Sequence, residues 1–228
     1  MYNVYAFDFD GTLTKQDTLI EFIRYTEGTS GLIRALLRFS PLLLLMKLHV
    51  CSNDCVKQKL FAHLYAGMPV ELFNDRCRKF ASDRRELLRE GGLLALWNAL
   101  REPASKVRVV SASVDNWVRP FLAMNEAQAE IDFGVVGTEV EIVDGRLTGR
   151  FLTPNCYGEE KVRRLRKQFP DRAAYRLVAF GDSRGDRELL QWADQGYWKP
   201  FRGGYDRTAF AALRKSRFFK LYSADEVD

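Results

Sequence analysis

Long apolar runs are nearly absent from this chain of 228 residues. The leucine-rich segment Leu32 to Val50 carries Arg34, Arg38 and Lys47, and its uncharged run, Phe39 to Met46, falls far short of the ~20 residues that a membrane-spanning helix needs. Cysteine is scarce: Cys51, Cys55, Cys77 and Cys156 share no tight repeated spacing, which excludes a disulfide scaffold. Proline (7) and glycine (16) are too few for a collagenous or low-complexity chain. Nor is charge of one sign in large excess. The formal net charge is +5, enough to favour anionic partners but too mild to indicate nucleic acid, so no nucleic-acid partner is expected. With 46% of residues hydrophobic, the chain can build a sizeable core. The first residues, Met1-Tyr2-Asn3-Val4, run straight towards Asp8 and Asp10 and lack the basic start and apolar centre of a secretion signal. The expectation is therefore a cytoplasmic protein with reduced thiols. A zinc site built from His49, Cys51, Cys55 and His63 fits no common ligand spacing and is not expected.

Residues 3–9 read as an apolar strand that ends in the turn Asp10-Gly11-Thr12. Thr18-x-x-Glu21 reads as a capping box opening a helix that Gly28 ends, and Pro41 should break the next helix. Ser52 opens a third helix and Pro69 suits the first turn of a fourth, so residues 16–91 form a helical block. Beyond Gly91-Gly92, strands alternate with helices. Strands are expected over 107–110, 133–136 and 176–180, with helices at 117–124, from Glu159 and from Asp186, and a last short strand at Tyr197-Trp198. Asp144-Gly145 between two alternating runs marks a hairpin of 140–143 with 146–151. The alternation predicts an α/β fold, a Rossmann-like parallel sheet with a helical cap inserted after the first strand. A core of residues 1–15 and 92–228 would then carry a cap of residues 16–91.

Sites in such sheets lie beyond the carboxyl ends of the strands. Asp8, Asp10, Ser111 and Asp182 all fall there and can converge. Within a strand, Asp8 and Asp10 would share one face, and two carboxylates ending an apolar strand are costly without a cation. A second acidic pair, Asp182 and Asp186, follows another apolar strand. Together they offer hard oxygen ligands suited to Mg2+.

Asp8-x-Asp10-Gly11-Thr12, Ser111, Lys161 and Gly181-Asp182-x3-Asp186 resemble the four ordered motifs of the haloacid dehalogenase superfamily, over essentially the whole chain. The helical insertion and the Asp144-Gly145 hairpin resemble its phosphoserine-phosphatase-like branch. The resemblance implies a Mg2+-dependent phosphatase working through an aspartyl-phosphate on a small phosphorylated substrate. Asp8 would be the nucleophile and Asp10 the acid and base. Ser111, Lys161 and the backbone N–H groups of Phe9 and Ala112 would hold the phosphate, with Gly11 and Thr12 beside it. Asp8, Asp10, Asp182 and Asp186 would serve the metal, and Asp17 would meet the substrate from the cap side. The chain departs from the phosphoserine phosphatases in reading Ser111-Ala112-Ser113 for their serine-glycine-glycine, Gly185 for an asparagine, and Asp17 for a glutamate. These departures leave the chemistry intact but weaken the case for phosphoserine.

Between Gly28 and Val70 stand five bases (Arg34, Arg38, Lys47, Lys57, Lys59) and one acid, Asp54, among many leucines. The stretch also resembles that of bacterial phosphatases acting on phosphatidylglycerophosphate. An alternative is therefore a lipid-phosphate phosphatase with peripheral membrane contact through the cap. A second alternative is a non-catalytic binding module of the same fold, against which the intact acidic set argues. The Leu42–Leu45 run is expected to pack inside the cap, because exposed apolar patches are uncommon.

Overall fold

The computed structural model describes residues 1–48, 50–122 and 132–209. Five parallel strands form one sheet. They are β1 (Tyr2–Phe7), β2 (Lys106–Val114), β3 (Asp132–Thr138), β6 (Tyr175–Gly181) and β7 (Gln195–Trp198), in the order β3-β2-β1-β6-β7. A separate antiparallel hairpin joins β4 (Val140–Val143) to β5 (Arg146–Phe151). β1 is central, pairing Phe7 with Val109 on one side and Phe180 on the other. Its side chains alternate between faces, so the sheet divides two apolar clusters. Val4 and Ala6 pack with Val162 and Leu165 of α7 (Glu159–Gln168) and Leu189 of α8 (Arg187–Trp192). Phe7 faces the other cluster, which takes in Trp117 and Phe121 of α6 (Asp115–Phe121) and Leu96 of α5 (Glu90–Arg101).

The segment after β1 is helical, as its periodicity predicts. α1 (Thr18–Arg38) is broken by Gly28, whose φ of 71° and ψ of 170° are not helical. α2 (Ser40–Lys47) carries Pro41 in its first turn, where the missing N–H costs nothing. α3 (Asn53–Tyr65) is capped by Ser52, which accepts from the Cys55 N–H at 3.2 Å, and α4 (Val70–Asp83) follows Pro69. This helical segment keeps a small apolar cluster of its own, Ile23, Leu32, Ala35 and Leu60, but its larger core is shared with the sheet. Phe22 stacks on Trp117 at 4.9 Å and meets Phe73 and Phe80 edge-on, joining both regions in one aromatic cluster. The hairpin grips the same helices. Gly67 N–H donates to Leu147 O, Leu147 N–H to Met68 O, and Val70 N–H to Gly145 O.

Several expectations need correction. β1 stops at Phe7, so Asp8 and Asp10 do not share a strand face. Residues Phe9–Leu13 form a tight turn in which Gly11 takes φ 76°. The cap of α1 is Asp17, which accepts from Leu19 N–H and Ile20 N–H; Thr18 is already inside the helix. β2 runs on to Val114, placing Ser111 within the strand. The helix expected over 117–124 is α6, which starts two residues earlier, and residues 123 and 124 lie outside the described residues. The leucine run is not core, because α2 buries none of its residues. Of the residues weighed for a zinc site, His49 lies outside the described residues and His63 packs edge-on against Phe39. Among the described residues no single helix is long and apolar enough to cross a membrane. α1 and α2 meet both requirements only together, as a pair bent by 60°.

Candidate active site

The carboxyl ends of β1, β2 and β6 open onto a cavity of about 460 Å³, a size suited to a small molecule. Asp8 follows the last residue of β1, and its N–H continues the sheet pairing to Phe180 O at 2.8 Å. Its carboxylate is buried, and Oδ1 accepts from Lys161 Nζ at 2.6 Å. Lys161, brought in by the first turn of α7, also donates to Asp186 Oδ1 at 2.6 Å. Burial disfavours the Lys161 ammonium, but the carboxylates of Asp8 and Asp186 outweigh it and hold the pKa above the usual lysine range. Burial drives the Asp8 pKa upwards, opposed by Lys161 and reinforced by the charges of Asp186 and Asp10. For Asp186, burial is overcome by Lys161 and by hydrogen bonds from Ser183, and its pKa falls.

Asp182, just past β6, is raised by burial and partly relieved by Arg202, which reaches its Oδ2 at 2.6 Å. Carboxylate oxygens of Asp8, Asp182 and Asp186 lie within 4.8 Å of one another. Two cations, Lys161 and Arg202, face these three carboxylates and leave one negative charge unmatched. That surplus and the all-oxygen donor set fit a hard divalent ion such as Mg2+. Gly11 makes the approach of Asp182 possible, because a Cβ on it would sit 2.4 Å from Asp182 Oδ2.

Asp10 is held from two sides. Oδ1 accepts from the Thr18 N–H at 2.7 Å and the Thr18 hydroxyl at 2.6 Å. Oδ2 accepts from the hydroxyls of Ser113 at 2.6 Å and Ser111 at 3.3 Å. Trp117 Nε1 in turn donates to the Thr18 hydroxyl at 3.2 Å. A carboxyl fixed by four donors cannot swing away from its neighbour Asp8 without losing them.

Asp8, Asp10, Gly11, Asp17, Ala112, Lys161 and Asp182 all line the cavity. Ser111 and Asp186 stand behind it, reached through Asp10 and Lys161. The Phe9 ring is in the core against Phe121, so only its main chain is available to a ligand. Thr12 is buried, and its hydroxyl has no hydrogen-bond partner among the described residues. Burial and the charge of Asp10 push Asp17 up to about 6, although the residue is exposed at the surface, where solvent screens the effect.

Many of the cavity residues were not foreseen, among them Lys57, Asn155, Tyr157 and Arg202. Lys57 reaches over from α3, donating to Ala112 O and, at 3.1 Å, to Asn155 Oδ1. Burial pulls it down to about 8, against the charges of Asp10, Asp54 and Asp17. The excess of bases in the helical segment was the one hint, and it does not single out Lys57.

Clustered carboxylates around a buried lysine, at the carboxyl ends of central parallel strands, are the features of a hydrolase on a Rossmann-like sheet. Residues 5–191 match the family model of haloacid dehalogenase-like hydrolases, and the chain belongs to that family. It is 34% identical over 203 residues to protein CicA of Caulobacter vibrioides (strain NA1000 / CB15N), covering 87% of this chain and 86% of that one. Its fold is similar to that of a HAD family hydrolase from Salmonella enterica serovar Typhi (TM-score 0.60, 22% identity), covering 86% of this chain and only 62% of that one. It is similar also to that of a substrate-bound phosphoserine phosphatase (TM-score 0.57, 17% identity), covering 87% and 85%.

Proposed function

We propose that the chain hydrolyses the phosphate monoester of a small metabolite by phosphoryl transfer to Asp8. The observation that carries this reading is the placement of Asp8. It is buried at the cavity floor on the Lys161 ammonium, two residues from a carboxyl that Thr18, Ser111 and Ser113 hold in place. An Asp8 oxygen attacks phosphorus as the bond to the leaving alcohol breaks, forming an aspartyl-phosphate. Asp10, protonated, gives its proton to the departing oxygen. As a carboxylate it then takes one from the water that attacks the phosphoryl group, releasing phosphate and restoring Asp8. The backbone N–H groups of Phe9 and Ala112, and Lys161, offset charge on the phosphoryl oxygens, while Ser111 acts through Asp10, to which its hydroxyl donates.

Asp8, Asp182, Asp186 and the backbone carbonyl of Asp10 would hold Mg2+. When bound, Mg2+ supplies the positive charge that lets an anionic carboxylate approach an anionic phosphate.

The test is Asp8→Asn, nearly isosteric but a poor nucleophile. Turnover of an aryl phosphate should fall by at least about 10³-fold with the circular dichroism spectrum unchanged. Acid-quenched wild-type protein should carry a phosphoryl group on Asp8 by mass spectrometry, and excess chelator should stop turnover until Mg2+ is restored. Full activity in Asp8→Asn would overturn the proposal.

A further inference from the structure

The helical segment carries an apolar ridge that nothing in the fold uses. Ile33 and Leu37 of α1, Leu44 and Leu45 of α2, and Leu48 and Val50 just after it are all exposed. Leu37 is 68% exposed, Leu48 62% and Val50 72%, so these are whole side chains in water rather than edges of core residues. They follow one another along the bent pair α1–α2, and α2 contributes no buried residue to the fold. Burial of the opposite side of α1 is already complete through Leu32 and Ala35, which pack with Ile23 and Leu60. An exposed ridge of this kind marks an interaction surface.

Charge selects the occupant. Arg34 and Arg38 of α1, Lys47 of α2 and Lys59 of the following α3 are exposed, and none has an ion-pair partner among the described residues. Asp54 is the one acid between Gly28 and Val70. A second copy of this chain would bring one basic rim against another in a two-fold contact, which like-charge repulsion disfavours. A surface that is apolar within and anionic at its rim complements both features: leucines enter the acyl boundary while bases meet the headgroups. The 60° bend and the arginines at 34 and 38 suit a helix pair lying in the interface rather than crossing it.

We infer that the α1–α2 ridge docks the protein on an anionic lipid bilayer. Docking there sets the cavity beside the membrane. Val50 is three residues from Asn53, which lines the cavity, so the two α-carbons are at most ~11 Å apart. Lys57, one turn further along α3, also lines it.

The full chain is mixed with vesicles of phosphatidylcholine alone, or of phosphatidylcholine with phosphatidylglycerol, and bound protein is separated by flotation. Binding to the anionic vesicles is expected, with little to the neutral ones and a loss on raising the salt. The variant Leu44→Ser/Leu45→Ser/Leu48→Ser should weaken binding at least tenfold while keeping aryl phosphate turnover and melting temperature. Arg38→Gln/Lys47→Gln, which touches no apolar contact, should weaken binding about fivefold for each base removed. Three results would each overturn the inference: no binding to anionic vesicles, undiminished binding by both variants, or a concentration-dependent dimer that the leucine variant abolishes.

Discussion

At the scale of single residues, the acidic set was legible because its chemistry is local. Carboxylates at 8, 10, 182 and 186 stand at the ends of apolar runs, where a carboxylate has no structural reason to be. Lys161 was legible only through its place in the ordered motifs, since a lysine in an amphipathic helix otherwise reads as solvated. Lys57 was not, because its role depends on α3 carrying it over Ala112 and Asn155, a juxtaposition of residues 55 and 98 positions apart. Its titration gives a test. With a pKa of about 8, the ammonium is charged below pH 8 and neutral above. A phosphate monoester is already dianionic from about pH 7. KM should therefore rise with pH through 8, by roughly tenfold in all. In Lys57→Met, KM should start high and stay flat. In Lys57→Arg, which keeps its charge, the rise should move out of range. A wild-type KM independent of pH between 7 and 9.5 would show that Lys57 does not meet the substrate.

At the scale of elements, strand and helix existence followed from periodicity, while the ends and partners of those elements depended on tertiary contacts. Asp17 rather than Thr18 caps α1 because Thr18 is taken by Asp10, a residue of the preceding turn. The Asp144-Gly145 hairpin was visible from its turn, whose two central residues have φ of 48° and 72°. What it does was not visible, because its grip on α3 depends on the absence of a side chain at Gly149. A Cβ there would meet Ala62 Cα at 2.8 Å and Ala66 Cβ at 3.1 Å, with φ at 87°. Gly149→Ala should cost about 2–4 kcal/mol from left-handed strain and overpacking together. The melting temperature should drop by roughly 5–15 °C. Gly145→Ala is the matched control. It has the same sign of φ but nothing within 4 Å, so it should suffer only the strain, about 1–2 kcal/mol. Equal losses in the two variants would mean that the hairpin does not press on α3.

At the scale of the whole molecule, the sequence suggested a cap acting as a lid over a separate core, because the helical stretch is contiguous and ends at Gly91-Gly92. Packing argues for closer union. Phe22 of α1 touches Tyr65 and Phe73 from the neighbouring helices, Phe80 of α4, and Trp117 of α6 at the end of β2, with ring centroids 4.9–5.8 Å apart. Removing such a ring from a closed cluster costs about 3–5 kcal/mol, because the space left cannot collapse from every side. If the helices and the sheet share one core, Phe22→Ala should lower a single calorimetric transition by roughly 6–20 °C. If they were independent, two transitions would appear and only one would move. The variant should also lower kcat, since Trp117 braces Thr18 and Thr18 holds Asp10, whereas the exposed leucines of α2 have no such route to the site. A single lowered transition with reduced kcat would place the catalytic acid under the control of the shared core. A two-step melt with unchanged kcat would return the helical segment to the role of a detachable lid.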